Sequence, residues 1–184
     1  MFARTDRLLL RPGWMEDAPA LAKAIGEEAI IRNLARAPWP YRLKDAQAFL
    51  STSGQELPNF IILERGAAAP ALVGGIGLIA DPGGGAELGY WIARDRWGRG
   101  YAAEAGRAVL AIARHGLRLG RITASHLVDN PASGRVLEKL GFEATSEIEV
   151  RYSMGRGEDV PSKAYALDLR GSRCQSADPE RMAA

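Results

Sequence analysis

The chain has 184 residues, 47% of them hydrophobic and 25% charged, which is the length and balance of one globular domain. Its net charge of +2 does not by itself indicate nucleic-acid binding. No stretch reaches the ~18 apolar residues of a membrane span, and residues 1–12 lack the apolar core of a secretory signal. A single cysteine, Cys174, excludes an internal disulfide. These features together predict a cytoplasmic protein.

Hydrophobic patterning in the first half of the chain predicts strands and two helices. In chain order we expect a strand at 8–10, a helix from residue 17, a loop at 37–41, a helix at 44–52, strands at 60–63 and 72–79, a turn at 82–85 and a strand at 87–92. The loop follows from Pro38 and Pro40, because prolines on both sides of Trp39 are incompatible with a helix.

The second half of the chain predicts a more regular alternation of helices and strands. We expect a helix at 101–115, a strand at 122–128, a helix at 131–140, and strands at 148–152 and 164–169. Gly141 follows the second of these helices as its C-terminal cap. Residues 172–184 are small and polar, which predicts disorder. We therefore expect one mixed α/β domain over residues 1–170 and a flexible tail at 171–184.

A glycine-containing turn precedes the helix predicted at 101–115. Gly98 and Gly100 have no side chains, so a ligand can approach the backbone closely. The first N–H groups of the following helix lack helical partners and lie at the positive end of the helix dipole. This arrangement favours a pyrophosphate, and nearby arginines add positive charge: Arg94, Arg96, Arg99 and Arg107. The alternative is a plain strand–helix connection with a solvated basic loop.

The segment Trp97-Gly98-Arg99-Gly100-Tyr101-Ala102 resembles the CoA pyrophosphate loop of the GNAT superfamily of N-acetyltransferases. It departs from that loop at Trp97, where the family usually has Gln or Arg. We expect the change to be tolerated, because the loop works largely through backbone N–H groups. Two further segments, 87–91 and 130–142, are similar to signatures of the branch that contains the ribosomal-protein N-terminal acetyltransferases. The resemblance runs from residue 6 to about residue 169.

This resemblance implies an α/β (α+β) fold with a central twisted, mixed and mostly antiparallel sheet of about seven strands and about four flanking helices. It implies acetyl-CoA as cosubstrate, lying where the fourth and fifth strands splay apart. Trp91, Ile92 and Ala93 are expected to offer backbone groups to the pantetheine amides, as an added strand would. The implied activity is direct transfer of the acetyl group to a primary amine, without a metal.

Acetyl transfer to an amine needs a group that accepts the amine proton, and Glu87 is the first candidate. In the resembling family, a glutamate on this strand often accepts the proton directly or through water. The alternative is a strand-edge carboxylate paired with an arginine. His126 is the second candidate base, although a lone histidine in a strand is more often a packed core residue. Water alone also stays open as the proton acceptor.

The last predicted helix supplies three further candidates by resemblance. Ser133 is similar to a serine that hydrogen-bonds the leaving CoA sulfur, and Asn130 is similar to the residue that holds the pantetheine arm. Asn130 before Pro131 is also the pattern of a helix N-cap, and the two roles are compatible. Arg135 is a candidate partner for the adenosine phosphates, or alternatively part of a solvated face.

The sequence does not identify the acceptor, and both a protein N-terminal α-amine and a small-molecule amine fit. The alternative from another class is an acetyl-CoA-binding sensor without turnover. A nucleic-acid-binding domain ranks below both, because no recognition helix or ribbon of stacking aromatics accompanies the arginines. Trp39 and Tyr41 lie where the resembling family builds its acceptor pocket, unless they pack into the core. No membrane partner is expected, and a homodimer is left open.

Overall fold

A single eight-stranded sheet organises the structure, a computed structural model that describes residues 1–52, 57–66, 70–81 and 85–170. The order of strands in the sheet is β1-β2-β3-β4-β5-β6-β8-β7. The strands are β1 (Ala3–Arg4), β2 (Leu8–Arg11), β3 (Asn59–Glu64), β4 (Ala71–Ala80), β5 (Ala86–Ile92), β6 (Arg121–Leu127), β7 (Glu143–Ser153) and β8 (Glu158–Asp168).

The pairing of β5 with β6 is parallel, whereas the other neighbouring strands of the described chain are antiparallel. The parallel pair is short, beginning with Ala86 opposite Ile122 and ending with Leu88 opposite Ala124. Strand β5 continues to Ile92 on its pairing with β4 alone. The two strands therefore separate beyond Leu88. The splayed pair was expected between the fourth and fifth strands. It is β5 and β6 in the structure, because the short β1 was not counted among the predicted strands.

In the described part of the chain, five helices flank the sheet: α1 (Ala18–Ile25), α2 (Glu28–Ile31), α3 (Leu43–Thr52), α4 (Tyr101–Ala111) and α5 (Pro131–Lys139). Single turns of 3₁₀-helix at Met15–Asp17 and Arg94–Arg96 precede α1 and α4, and a π-helical turn at Ile112–Gly116 extends α4. Helix α5 ends as predicted, because Gly141 has φ +88° and the Phe142 N–H bonds the Leu137 carbonyl at 3.0 Å.

The helices cover both faces of the sheet, and alternate residues of each strand point to opposite faces. Leu88 and Ile92 pack into the main core with residues of α4 and α5. Trp91 points the other way and packs against two smaller clusters, which are formed by residues of α1, α2 and α3. Full burial of a side chain the size of Leu or Ile stabilises the fold by roughly 1.5–3 kcal/mol. Strand β5 is thus fixed from both faces at the point where it leaves β6.

The predicted mixed, mostly antiparallel architecture is confirmed, with differences at short elements and boundaries. Strand β1 and helix α2 were not predicted, because two and four residues are too few to show a periodic pattern. Strands β7 and β8 begin earlier in the chain than the predicted ranges, at Glu143 and Glu158. Residues 82–84 of the predicted turn and the predicted tail lie outside the described residues, so the division at residue 170 stays a prediction. Among the described residues, no helix is long and apolar enough to cross a membrane.

Candidate active site

The turn between β5 and α4 holds two glycines in the left-handed conformation. Gly98 has φ +75° and Gly100 has φ +79°, values that residues with side chains rarely adopt. A Cβ added to Gly98 would meet nothing within 4 Å among the described residues, and one added to Gly100 would lie 3.7 Å from Arg7 Nη2. Both glycines therefore border open space that a ligand can occupy.

Helix α4 begins directly after this turn, with Gly100 as its N-cap. The first helical hydrogen bond is donated by the Glu104 N–H to the Gly100 carbonyl at 3.0 Å. The N–H groups of Tyr101, Ala102 and Ala103 therefore precede the helical ladder. They lie at the positive end of the helix dipole. This combination of free N–H groups and dipole forms an anion site of the kind that binds a pyrophosphate.

The four arginines expected near the turn have different surroundings. Arg94 and Arg96 form ion pairs with glutamates, at 3.6 and 3.1 Å respectively. Arg99 and Arg107 are exposed, on the turn itself and on α4. A fifth arginine, Arg7, reaches the turn from the N-terminal segment and donates to the Arg99 carbonyl at 3.0 Å. Positive charge does gather at the glycine turn, but a distant segment supplies part of it.

Beyond Leu88, the edge of β5 on the β6 side has no neighbouring strand in the part of the chain that the structure describes. Residues of an antiparallel pair alternate between the two edges of a strand. The Ala93 N–H bonds to β4 at 2.9 Å, so Ala93 and Trp91 use the β4 edge, while Tyr90 and Ile92 lie on the open edge. The Ile92 carbonyl accepts a hydrogen bond from Trp97 Nε1 at 2.7 Å. Of the three predicted pantetheine-binding residues, Ile92 is the one with backbone groups at the open edge.

Glu87 lies on the face of the sheet that α1 and α3 cover, in a cluster with three polar side chains. Its Oε1 accepts hydrogen bonds from Arg151 Nη1 at 2.6 Å and from Ser125 Oγ at 2.9 Å. Arg151 also donates to Glu149 Oε2, at 3.1 Å through Nε and 3.0 Å through Nη2. Burial lowers the pKa of Arg151, but the charges and hydrogen bonds of the two glutamates outweigh it, and the pKa is raised.

The contact with Arg151 matches the paired-carboxylate alternative for Glu87, and it occupies one oxygen of the carboxylate. Oε2 of Glu87 accepts no hydrogen bond from the described residues. The side chain is thus anchored through one oxygen and presents the other. A role as proton acceptor stays a prediction, and the geometry is compatible with it.

His126 has the surroundings of a packed core residue. It is 9% exposed, its Nδ1 lies 2.8 Å from the Leu127 carbonyl, and its Nε2 lies 3.3 Å from the Tyr165 hydroxyl. A Cβ on Gly134 of α5 would come within 2.7 Å of Nε2. Both ring nitrogens therefore face protein groups, on the face of the sheet opposite to Ser125 and Glu87. This placement favours the core interpretation over a role as base.

Ser133 lies in the first turn of α5 and pairs with a tyrosine from β5. The Tyr90 hydroxyl is 2.7 Å from Ser133 Oγ and donates to the Ser133 carbonyl at 3.0 Å. Burial raises the pKa of Tyr90 to about 12 despite the hydrogen bond with Ser133, so the phenol is protonated at neutral pH. Asn130 Oδ1 accepts from the Ser133 N–H at 3.4 Å, which is the N-cap expected before Pro131.

Glu87 and Ser133 lie on opposite faces of the sheet, beside the place where β5 and β6 separate. The alternation of β5 puts Glu87 on one face and Tyr90, with its partner Ser133, on the other. A ligand that passes through the opening would therefore meet a carboxylate on one side and two hydroxyls on the other. Such a site suits a group transfer in which a proton leaves on one side and a leaving group departs on the other.

The remaining predicted residues lie at the periphery of this site. Arg135 is exposed on α5, and Trp97 is exposed at the glycine turn. Trp39 is 43% exposed, so it is not a core residue. Tyr41 is half-buried and packs against α1 and α3. In the loop at 37–41, Tyr41 is therefore packed and Trp39 faces solvent.

Four residues of the site were not predicted from the sequence: Arg151, Ser125, Arg7, and Tyr90 as the partner of Ser133. Arg151 is 64 residues from Glu87 along the chain, and β7 brings it there through its pairing with β8. No local pattern marks it. Ser125 could have been predicted. It is next to the buried His126 and therefore faces the other side of the sheet, on the strand that neighbours the strand of Glu87.

The glycine turn, the opened strand pair and the flanking carboxylate and hydroxyl groups are compatible with a transferase that uses a nucleotide-containing cosubstrate. Comparison with known families agrees. Residues 7–143 match the model described as "Acetyltransferase (GNAT) domain". Because the match covers more than half of the chain, the protein belongs to the GNAT acetyltransferase family and is an acetyl-CoA-dependent acetyltransferase. The family expected from the motifs is confirmed.

Two curated relatives are named as N-acetyltransferases. The chain is 29% identical to N-acetyltransferase p20 of Bacillus licheniformis over 146 residues, which cover 76% of this chain and 80% of the relative. It is 27% identical to N-acetyltransferase YoaA of Bacillus subtilis over 175 residues, which cover 89% and 94%. The likeness to both relatives therefore extends over most of their length.

Solved structures share the fold at lower sequence identity. A GNAT-family acetyltransferase from Bacillus anthracis has a TM-score of 0.79 at 23% identity, covering 92% of this chain and 99% of that one. The ribosomal L7/L12 α-N-protein acetyltransferase RimL, solved with coenzyme A, has a TM-score of 0.77 at 18% identity, covering 91% and 98%. The microcin C7 self-immunity acetyltransferase MccE, solved with acetyl-CoA and AMP, has a TM-score of 0.75 at 18% identity, covering 89% and 93%.

Proposed function

We propose that the protein transfers the acetyl group of acetyl-CoA directly onto a primary amine, at the opening between β5 and β6. The observation that carries this proposal is the placement of Glu87 and Ser133 on opposite faces of that opening. The acceptor is a protein N-terminal α-amine or a small-molecule amine. RimL is named as a ribosomal L7/L12 α-N-protein acetyltransferase and MccE as a microcin C7 self-immunity acetyltransferase, so proteins that share the fold have different named roles and the fold alone does not identify the acceptor.

The residues around the glycine turn fit acetyl-CoA. The N–H groups at the start of α4 and the space beside Gly98 and Gly100 suit the pyrophosphate. The open edge of β5 at Ile92, together with Asn130, would hold the pantetheine arm. Trp97, Arg99 and Arg135 lie around this path as exposed residues. Bound acetyl-CoA supplies an activated acetyl thioester.

On the acceptor side, Glu87 accepts the proton that the amine loses as its nitrogen bonds to the acetyl carbon. The proton goes to Oε2, the oxygen that Arg151 and Ser125 leave available. An α-amine, with a pKa of about 7.7–8.0, is partly neutral at pH 7 and makes modest demands on such a base. A lysine-like amine, with a pKa of about 10.4, must first lose a proton that it holds firmly.

On the other face, the hydroxyl groups of Ser133 and Tyr90 stabilise the thiolate that departs when the carbon–sulfur bond breaks. Ser133 donates a hydrogen bond to the sulfur, and the Tyr90 hydroxyl, 2.7 Å from Ser133 Oγ, then donates its proton to that oxygen rather than to the Ser133 carbonyl. Burial raises the pKa of Tyr90 to about 12, well above neutral pH, so the pair retains the protons that it needs there. No cysteine nucleophile takes part.

The experiment that tests this proposal is a thiol-release assay with acetyl-CoA and a panel of peptides and small amines. We expect turnover with at least one acceptor, and a loss of kcat in Glu87→Gln of about tenfold to a hundredfold, within the range of general-base catalysis. The loss should be greatest at low pH, and acetyl-CoA affinity in calorimetry should stay within about twofold of wild type.

Glu149→Gln is the matched control, because Glu149 binds the same arginine and lies further from the opening. Its kcat should stay close to the wild-type value. Selective acetyl-CoA binding without turnover on any acceptor would support the sensor alternative. A normal pH–rate profile in Glu87→Gln would exclude Glu87 as base and leave water as the proton acceptor.

We also propose that residues 1–170 form the catalytic domain and that residues 171–184 are an accessory tail. The described core supports this division, since its last strand ends at Asp168 and Leu169 is its last buried residue. A protein truncated after residue 170 should retain wild-type acetyl-CoA affinity and unfolding temperature.

A further inference from the structure

Arg7 connects the N-terminal segment to the glycine turn. Its Nη1 donates to the carbonyl of Arg99, between the two glycines, at 3.0 Å. Its Nε and Nη2 reach Glu104 Oε2 at 2.7 and 2.6 Å. The guanidinium also lies 4.7 Å from the centre of the Tyr101 ring. One side chain therefore contacts the turn, the first turn of α4 and the residue between them.

Glu104 is held in place by more than Arg7. Its Oε1 accepts hydrogen bonds from Thr5 Oγ1 at 2.5 Å and from the Arg7 N–H at 3.0 Å. Its side chain is only 12% exposed. Burial raises the pKa of Glu104, but the bonds from Thr5 and Arg7 outweigh burial, and the pKa is lowered. Glu104 is thus an ionised anchor for the guanidinium at neutral pH.

The contact with the Arg99 carbonyl controls the direction of a neighbouring N–H group. A trans peptide unit is planar, so its carbonyl oxygen and the following N–H point in opposite directions. When Arg7 holds the Arg99 oxygen, the N–H of Gly100 must point away from Arg7. Because glycines on both sides of Arg99 have unusual freedom, the turn has little other reason to keep this peptide in one orientation.

Arg7 also changes the electrostatics of the site. Glu104 lies in the first turn of α4, where an anion is favoured by the helix dipole. The same negative charge would compete with a pyrophosphate for that end of the helix. Two bonds from the Arg7 guanidinium neutralise it.

We propose that Arg7 is a positioning residue for the cosubstrate, which orients the Arg99–Gly100 peptide toward the pyrophosphate and neutralises Glu104. This inference rests on the proposed placement of acetyl-CoA at the glycine turn. We call Arg7, Glu104 and Thr5 together the brace. None of these residues needs to touch the acetyl group or the amine.

The test compares two ligands by titration: acetyl-CoA, and S-acetylpantetheine, which lacks the pyrophosphate and nucleotide. Arg7→Gln should weaken acetyl-CoA binding about tenfold or more, the effect of losing one or two charge-assisted hydrogen bonds. Its affinity for S-acetylpantetheine should not change. Arg7→Lys keeps the charge but cannot bridge both partners, so its acetyl-CoA affinity should lie between wild type and Arg7→Gln.

Arg4→Gln is the matched control, because Arg4 is an exposed arginine in a surface depression that Arg7 and Glu104 also line. It should bind acetyl-CoA within about twofold of wild type. Equal losses in Arg4→Gln and Arg7→Gln would show that only overall charge matters and would overturn the brace. Wild-type affinity in Arg7→Gln, or a matching loss for S-acetylpantetheine, would overturn it as well.

Thr5→Val tests the brace independently if Arg7→Gln does not fold. It removes the bond that the Thr5 hydroxyl donates to the Glu104 carboxylate at 2.5 Å without changing charge. Acetyl-CoA binding should weaken about threefold, less than in Arg7→Gln, because Arg7 keeps both of its own partners. An unchanged affinity would contradict the brace. Failure of the wild-type protein to bind acetyl-CoA is a different result, because it would overturn the proposed cosubstrate site and the brace together.

Discussion

The two faces of the sheet are built in different ways at the site. On the face of α4 and α5, the proposed cosubstrate site consists mostly of backbone, supplied by a turn and two helix starts that are continuous with β5 and β6. On the opposite face, the proposed acceptor site consists of side chains from separate segments. Glu87, Ser125 and Arg151 come from three different strands.

The acceptor side is also closed by contacts between distant loops. Arg156, in the turn between β7 and β8, donates to Asp129 through both terminal nitrogens at 2.9 Å and to the Arg32 carbonyl at 2.7 Å. Met154 donates its N–H to the Ala35 carbonyl at 2.9 Å. The comparison teaches that local backbone geometry builds most of the proposed cosubstrate site, whereas the proposed acceptor site consists of side chains from segments that only the fold brings together.

The largest expected effect is on the cosubstrate side. Gly100→Val should weaken acetyl-CoA binding by about a hundredfold or more, because a β-branched residue at φ +79° costs roughly 1–3 kcal/mol of backbone strain and fills the space beside the turn. Calorimetric titration with acetyl-CoA measures the change.

Gly157→Val is the control for this prediction, because Gly157 has φ +69° and a Cβ added to it would meet nothing within 4 Å among the described residues. It imposes similar strain at the turn between β7 and β8. Acetyl-CoA affinity should be unchanged in this variant. If Gly100→Val binds acetyl-CoA as the wild type does, the glycine turn is not part of the site.

A smaller effect is expected at Ser133, beside the opening on the face of α4 and α5. Ser133→Ala should lower kcat about tenfold with little change in acetyl-CoA affinity, because one hydrogen bond to the departing sulfur is lost. The helix start should persist, since the Asn130 side chain binds the backbone N–H of residue 133. Tyr90→Phe should lower kcat less. A wild-type kcat in Ser133→Ala would leave the serine as an ordinary first-turn residue.

The smallest effect concerns the ion pair that closes the acceptor side. The hydrogen bonds from Arg156, above all, lower the pKa of Asp129 from its ordinary value of 3.8. A carboxyl group whose pKa is lower in the folded state adds stability above pH 3.8, and this is lost as the pH falls through the folded pKa. Asp129→Asn should therefore lower the unfolding temperature by only about 1–3 °C at pH 7, since Asp129 is half-exposed.

The difference in unfolding temperature between wild type and Asp129→Asn should shrink as the pH falls below 3.8. Circular dichroism at several pH values measures it. Asp159→Asn, which changes an exposed carboxylate on β8, is the control. A difference that persists undiminished at low pH would show that Asp129 acts through packing or the loop backbone rather than through its charge.

Particular residues show why parts of the site were predictable. Gly98, Gly100 and Asn130 have roles set by local backbone geometry, so their types and spacing are enough to indicate a turn and a helix N-cap. For Glu87, the sequence indicated only that some arginine could pair with the carboxylate. That this arginine is Arg151 depends on β7 lying beside β8, and nothing in the sequence near residue 87 records that pairing.

The sequence by itself determined the order of the main strands and helices, the glycine turn, the capped start of α5 and the family. These features depend on interactions between residues that are near one another in the chain, which periodicity and turn chemistry record. The tertiary structure alone decided that Arg151 binds Glu87, that Tyr90 pairs with Ser133 and that Arg7 reaches the glycine turn. Those contacts join residues 64, 43 and 92 positions apart, and packing of the whole sheet and its helices, rather than any local preference, brings them within hydrogen-bonding distance.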